Sequence, residues 1–199
     1  MALVPPLEYT PEEVRSLLRP LRNRVSVAVY SAQNAFAVGA IIRVAHSFLV
    51  REIILIGQSP WYEKASMGMQ RFEEVVVLAD ERAFFEHAEG RPLWAVEKDH
   101  ATQSLYDVTS YPDDVVLVLG SERAGLPSVI LQRADAVLGI PMYGVNHSFP
   151  LAVAAGIVMS DWARRRYAPG TTISGPARDD RAAAAPDRGG KDRPRGQRG

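Results

Sequence analysis

The chain contains no cysteine among its 199 residues. Neither a disulfide framework nor a thiolate metal site can therefore form. Histidine is scarce as well, and its four occurrences are scattered without the spacing of metal ligands: His46, His87, His100 and His147. We accordingly expect no metal centre.

Long apolar runs are also missing. No run approaches the roughly 20 residues that span a bilayer, and the N-terminus, MALVPPLEYTPEE, lacks the basic-then-apolar pattern of a signal peptide. We expect a cytoplasmic protein that makes no use of a membrane. The apolar share of 47% suits a packed core, and the length suits one domain with tails.

The formal net charge of zero hides an asymmetry along the chain. Residues 1–163 hold 13 Lys and Arg against 19 Asp and Glu, a net of −6, whereas residues 164–199 hold 10 against 4, a net of +6. Residues 168–199 are rich in Gly, Pro, Ala, Arg and Asp, and predict a disordered basic tail. Such a tail is either simply solvated or attracts a polyanion.

Residues 1–24 predict an N-terminal helical extension. Pro11 stands at a first helical position after Thr10, with two acidic residues behind it, which is a helix start signal. Three arginines that follow at spacings of four and three share one helix face, which meets either RNA phosphates or solvent: Arg15, Arg19 and Arg22.

Residues 25–167 alternate short apolar runs with helical stretches. The runs predict strands at 25–30, 52–57, 75–78, 93–97, 115–119 and 134–140, and the helical stretches are 36–48, 80–88 and 148–166. Runs that are apolar throughout suit strands covered on both faces. The pattern predicts an α/β domain with a mostly parallel sheet flanked by helices. Ligands of such sheets bind beyond the carboxyl ends of the strands, so we expect the loops after four residues to lie close together: Tyr30, Glu97, Leu119 and Ile140.

Three separated segments carry candidate chemistry. In residues 34–48, Arg43 interrupts an apolar helical stretch, and its guanidinium matches either a phosphate or a structural carboxylate such as that of Glu122. In residues 116–127, an apolar strand runs into small residues that either let a ligand approach the backbone or form a plain tight turn. In residues 140–166, a polar loop precedes a small-residue helix that suits either an ordinary core or a dimer contact.

Together the three segments resemble the motifs of the SpoU/TrmH group of SPOUT RNA methyltransferases. The matching residues are Gly39–Arg43 (GAIIR), Gly120–Pro127 (GSERAGLP), and Ile140–Met142 (IPM) followed by Ser148. Order and spacing agree over roughly residues 24–166. The chain departs from the pattern at three places. Ser148-Phe149-Pro150 replaces Ser-Leu-Asn, Ala37 stands where an Asn is common, and Leu49 stands where a Gly is frequent.

The resemblance implies a SPOUT α/β fold with a deep C-terminal trefoil knot, a homodimer, and S-adenosylmethionine held in the knotted loops. The residues it assigns to the cofactor are Ala95, Val96, Glu97, Leu119, Gly120, Ser121, Ile140, Met142, Ser148 and Leu151. It implies methyl transfer to an RNA hydroxyl, usually a ribose 2′-OH. Arg43 would position the RNA phosphate and stabilise charge, Glu122 would orient Arg43, and Ser148 would contact cofactor or substrate.

We assign the substrate side of the site to Asn34, Arg123, Asn146 and His147. A compact RNA such as a tRNA is the favoured substrate, with ribosomal RNA second. Two other functions stay open. One is a knotted RNA-binding scaffold without catalysis, motivated by Pro150, whose ring supplies neither an amide side chain nor a backbone N–H. The other is an unrelated nucleotide-binding α/β enzyme, although no P-loop or GxGxxG motif is present.

Overall fold

The computed structural model describes residues 9–166, which form an α/β unit around one seven-stranded sheet. The strand order is β3-β2-β1-β6-β4-β7-β5, and every pairing within it is parallel. The strands are β1 Val25–Tyr30, β2 Ile53–Ile56, β3 Val75–Leu78, β4 Leu93–Val96, β5 Gln103–Ser104, β6 Val115–Leu119 and β7 Ala136–Gly139. The predicted α/β class with a mostly parallel sheet is confirmed.

Helices cover both faces of the sheet. Their bounds are α1 Pro11–Leu18, α2 Ala35–Ser47, α3 Glu63–Ser66, α4 Glu81–His87, α5 Ser128–Arg133 and α6 Leu151–Arg166. On one face, α2 and α6 pack on alternate strand residues such as Val27 and Leu117. On the other face, Phe84 of α4 and Ile130 of α5 pack on the residues between. Two covered faces explain why the central strands are apolar at nearly every position.

The N-terminal helix begins as its sequence predicts. Thr10 and Glu13 form a capping box in which Glu13 Oε2 accepts the Thr10 N–H at 2.7 Å. Its arginines do not all face outward, however. Arg22 is half-buried and donates to the Glu73 carboxylate at 2.6 Å and to the Phe72 carbonyl at 2.7 Å. The predicted phosphate-binding face is therefore wrong for Arg22, which ties the N-terminal segment to the domain.

The sequence missed the short elements. Helix α3, helix α5 and the two-residue strand β5 have too few residues to show a periodic pattern. Leu49 adopts a left-handed conformation, φ +46°, at the end of α2, where glycine is ordinarily favoured. Backbone hydrogen bonds hold this leucine in a conformation that its side chain disfavours, since its carbonyl accepts the Asn23 N–H at 2.7 Å and its N–H donates to the His46 carbonyl at 3.1 Å.

The predicted basic tail, residues 168–199, lies outside the described residues, and the trefoil knot stays a prediction. None of the helices in residues 9–166 is long and apolar enough to cross a membrane. The same residues contain no group of three or more His, Asp or Glu side chains arranged to hold a metal ion.

Candidate active site

A cavity of about 630 Å³ opens at the carboxyl ends of β4, β6 and β7. Its volume falls within the range of small-molecule and cofactor sites. Three stretches of chain line it: the end of β4 with the residues after it, the turn after β6, and the loop from Ile140 to the start of α6. Parallel strands bring these stretches together because their carboxyl ends share one edge of the sheet.

Glu97 joins two walls of the cavity. Its Oε2 accepts the Leu126 N–H at 3.3 Å, and its Oε1 accepts the Lys98 N–H at 2.9 Å. A Cβ atom on Gly125 would lie 2.4 Å from Glu97 Oε2, and Gly125 has φ +63°. Only glycine therefore lets the turn close on this carboxylate.

Hydrogen bonds between its own backbone groups close the turn after β6. Ser121 and Gly125 exchange hydrogen bonds at 3.2 and 3.0 Å, and Ser121 Oγ accepts the Ala124 N–H at 3.2 Å. A Cβ on Gly120 would lie 2.2 Å from the Gly125 carbonyl carbon. The small residues at 120–125 thus build a compact turn whose backbone faces the cavity.

The third wall is held across the cavity by a lysine. Lys98 Nζ donates to the His147 carbonyl at 2.8 Å, and Asn146 Nδ2 donates to the Ser148 carbonyl at 3.2 Å. The Pro150 carbonyl accepts two N–H groups from the first turn of α6, those of Val153 at 2.9 Å and Ala154 at 3.0 Å. Proline is compatible with this place because its missing N–H is not needed at a helix start.

Nine of the ten predicted cofactor residues line the cavity: Val96, Glu97, Leu119, Gly120, Ser121, Ile140, Met142, Ser148 and Leu151. Ala95 does not, because its side chain is buried on the opposite face of the sheet with Ala28 and Val118. In a strand, successive side chains point to opposite faces, so Ala95 and Val96 cannot both face the ligand. The Ala95 side chain therefore lies outside the cavity, and a role of its backbone at the cofactor stays a prediction.

The predicted substrate residues divide into three groups. Arg123 and His147 line the cavity, and Asn146 lines a shallower depression that shares Lys98 with it. Asn34 caps α2, where its Oδ1 accepts the Phe36 N–H at 3.0 Å and the Ala37 N–H at 3.3 Å. Sequence reasoning missed Lys98 and Phe149; the signal available was their position directly beside Glu97 and Ser148.

Arg43 and Glu122 are not paired within the subunit. Glu122 lines the cavity, but its Oε2 accepts the Gln33 N–H at 3.4 Å. Arg43 is exposed on α2 and makes no side-chain hydrogen bond or ion pair within residues 9–166. It lies eight residues into a helix that begins at the carboxyl edge, about 12 Å along the axis. The expected Arg43–Glu122 contact is wrong for a single subunit.

A parallel α/β sheet with a cavity at its carboxyl edge is typical of proteins that bind a small ligand or cofactor. Comparison with known proteins identifies the family. The sequence model of the SpoU rRNA Methylase family matches residues 24–160. The chain belongs to this family. A 23S rRNA (guanosine-2'-O-)-methyltransferase, RlmB, of Coxiella burnetii is 28% identical over 136 residues, 66% of this chain and 54% of the relative. The chain thus matches about half the length of that relative.

Two solved structures share the fold. An AdoMet-bound rRNA methyltransferase from Sinorhizobium meliloti superposes with a TM-score of 0.67 at 26% identity, covering 81% of this chain and 62% of the other. A chain from work on the 2-OH methylation of C/U34 on tRNA has a TM-score of 0.65 at 23% identity, covering 71% of this chain and 95% of the other. S-adenosylmethionine is thus the cofactor of this family, as the motifs imply.

Proposed function

We propose that this chain transfers a methyl group from S-adenosylmethionine to a ribose 2′-hydroxyl of RNA. The observation that carries the proposal is the cavity itself. Two of the three motif segments, far apart in sequence, meet there around Glu97. The C. burnetii relative, named as a guanosine-2'-O-methyltransferase, supports the choice of the ribose hydroxyl.

The cavity suits S-adenosylmethionine. Leu119, Ile140 and Leu151 give it apolar walls for an adenine ring, and the surrounding turns present polar backbone and the Glu97 carboxylate. Few, fixed polar groups among apolar walls are typical of cofactor sites. The cofactor would supply a methyl group already activated on a sulfonium, so the protein's task is alignment of the attacking hydroxyl. As the new C–O bond forms, the sulfur–methyl bond breaks, S-adenosylhomocysteine leaves, and the hydroxyl proton passes to the RNA phosphate or to water.

Arg43 is proposed to act across the dimer that the family resemblance implies. Its guanidinium is exposed and unpaired within the described residues, which leaves it available to the cavity of another copy of the chain. We propose that Arg43 of the partner subunit positions an RNA phosphate beside the cavity and that Glu122, at the cavity mouth, orients it. Arginine remains protonated at neutral pH, so charge stabilisation suits it better than proton abstraction. Ser148 would contact cofactor or substrate.

The substrate is proposed to be a tRNA, with ribosomal RNA as the second candidate. Relatives of this chain include proteins named for each RNA class. The deciding experiment is mass spectrometry of modified nucleosides from tRNA and ribosomal RNA of a strain that lacks this gene. One 2′-O-methylated nucleoside should disappear and return with the wild-type gene. An unchanged inventory in both RNA classes would overturn the proposal.

Purified variants test the residue roles. Arg43→Ala should reduce methyl transfer to the identified RNA by at least about 100-fold, the scale of one electrostatic transition-state contact. Arg43→Lys should recover only part of it, because lysine lacks the bidentate fork. Isothermal titration should show S-adenosylmethionine affinity near wild type in both variants. Equal loss of affinity and transfer would assign Arg43 a structural role.

A non-catalytic RNA-binding scaffold is the second candidate, and Pro150 is the observation that favours it. Where the family commonly has an asparagine, proline offers no amide to orient a substrate. A scaffold would bind RNA without micromolar affinity for S-adenosylmethionine, so the same titration separates the two functions.

A further inference from the structure

Two aromatic rings stand exposed at the start of α2, the helix that begins at the carboxyl edge of the sheet. Phe36, in the first turn of α2, is 63% exposed, and Tyr62, just before α3, is 36% exposed. Their ring centroids are 4.5 Å apart at an interplanar angle of 43°. An exposed ring pair of this kind is uncommon for an ordinary surface, because aromatic side chains bury large areas when they can.

The pair is held rigidly by its backbone. The Tyr62 N–H donates to the Ala35 carbonyl at 2.9 Å, and the Asn34 side chain accepts the Phe36 N–H. Gly39 lets α3 approach closely, since a Cβ there would lie 2.6 Å from the Tyr62 carbonyl oxygen. The rings are therefore preorganised, and a ligand would not have to order them.

The pair lies between the cavity and Arg43. On the cavity side, Gln33 lies three residues before Phe36, and its N–H donates to Glu122. On the other side, Arg43 follows Phe36 by seven residues, which places it on the same face of α2, about 10 Å along the helix axis. A strand of nucleic acid that enters the cavity mouth from the side of α2 would pass the rings.

Charge identifies the kind of ligand. Within residues 9–166, six Lys and Arg side chains make no ion pair: Arg19, Arg43, Lys64, Arg71, Arg123 and Arg133. Lys64 lies on α3 beside Tyr62, Arg71 in the 3-10 turn after α3, and Arg123 lines the cavity. Glu63 precedes Lys64 on α3, and Glu122 accepts the Gln33 N–H. Cationic side chains around an exposed aromatic surface are typical of single-stranded nucleic-acid sites, whereas the centres of protein–protein interfaces are depleted of charge.

We propose that the Phe36–Tyr62 ring pair is a stacking site for an unpaired base of the RNA substrate, adjacent to the nucleotide that enters the cavity. The proposal rests on the proposed function, and it specifies that the target lies in an unpaired loop or bulge. Bases splayed from a helix stack on aromatic side chains in this way. Lys64, two residues after Tyr62 on α3, contacts a phosphate next to the stacked base.

Three substitutions of Phe36 separate stacking from other roles. Phe36→Leu keeps an apolar side chain but removes the ring, Phe36→Ala removes both, and Phe36→Tyr keeps the ring. Val77→Ala is the matched control, because Val77 is 60% exposed on the edge strand β3. Affinity is measured by filter binding to tRNA and ribosomal RNA from the deletion strain. S-adenosylmethionine affinity is measured by calorimetry, and oligomeric state by sedimentation velocity.

We expect Phe36→Leu and Phe36→Ala to weaken RNA binding about tenfold, the effect of losing one base–aromatic stack. Phe36→Tyr and Val77→Ala should bind RNA as wild type does, and all four should keep cofactor affinity and oligomeric state. Wild-type RNA affinity in Phe36→Leu would overturn the stacking site, as would a change of oligomeric state, which would assign the rings to a contact with a second copy. Absence of methyl transfer by the wild type would refute the proposed function instead, because RNA binding is measured independently.

Discussion

The carboxylate of Glu97 accepts the backbone N–H of Leu126 at 3.3 Å, and this bond joins the segment after β4 to the turn after β6. Glu97 is half-buried, and Gly125 leaves it just enough room. Two of the three cavity walls are thereby fixed relative to each other by one side chain.

Glu97→Ala should remove the hydrogen bond that joins the segment after β4 to the turn after β6. We expect S-adenosylmethionine affinity to fall about tenfold, because the Leu126 and Lys98 amides both lose their acceptor. Glu97→Gln keeps one side-chain oxygen as an acceptor and should lose clearly less affinity for S-adenosylmethionine. Calorimetric titration of both variants measures the difference, and identical affinities for wild type and Glu97→Ala would show that this bond does not shape the site.

Gly120→Ala should abolish cofactor binding. The alanine Cβ would lie 2.2 Å from the Gly125 carbonyl carbon and 2.5 Å from the Leu126 nitrogen. These backbone atoms cannot easily move, because hydrogen bonds between Ser121 and Gly125 close the turn. Gly156→Ala in α6 is the control, since a Cβ there meets nothing within 4 Å of it, and alanine favours a helix by about 0.5–1 kcal/mol. Circular dichroism and calorimetry should show both variants folded and only Gly120→Ala unable to bind S-adenosylmethionine.

Val153→Glu should separate the two subunits of the predicted homodimer. Val153 is 46% exposed on α6, the helix whose small residues suit a dimer contact. A carboxylate buried there against a second copy would be strongly disfavoured. Val129→Glu is matched to it, because Val129 is 44% exposed on α5, on the opposite side of the sheet. In sedimentation velocity, a dimeric Val153→Glu would place the interface elsewhere.

Acid should weaken the domain through Glu52. This buried carboxylate accepts hydrogen bonds from Arg91 at 2.6 Å and Ser26 at 3.0 Å, and it contacts His87 at 2.9 Å. Burial alone would raise the pKa of Glu52, but the bonds from His87 and Arg91 outweigh it and hold the pKa below its ordinary value of 4.5. A lowered pKa in the folded state stabilises the protein above pH 4.5, and this contribution is lost as the pH falls through the folded value.

Glu52→Gln should therefore cost roughly 2 kcal/mol of unfolding free energy at pH 7, because it removes the charged acceptor at 2.6 Å from Arg91 and leaves that arginine only its longer pair with Asp114 at 3.3 Å. The difference from wild type should shrink as the pH is lowered below about 4.5. Glu86→Gln, which removes an exposed pair with Arg82, should cost under about 1 kcal/mol at any pH. Urea unfolding at several pH values measures both. A pH-independent difference for Glu52→Gln would contradict the linkage.

Local sequence determined much of this protein. Apolar runs such as VVLVL at 115–119 fixed which strands lie at the centre of the sheet, because a strand covered on both faces needs apolar residues throughout. Thr10 and Glu13 marked a helix start, and the glycines of GSERAGLP marked a turn that only small side chains allow. These features depend on interactions within a few residues, so they can be predicted from the sequence before the fold is known.

Tertiary structure alone decided where the side chains of those segments point. Ala95 and Val96 are equally apolar, yet pleating sends only Val96 into the cavity. Arg43 looked like a partner for Glu122, yet the length of α2 carries it away from the carboxyl edge, and Glu122 receives the Gln33 amide instead. The Phe36–Tyr62 pair joins residues 26 positions apart. Such relationships depend on how distant elements pack, and no local pattern encodes them.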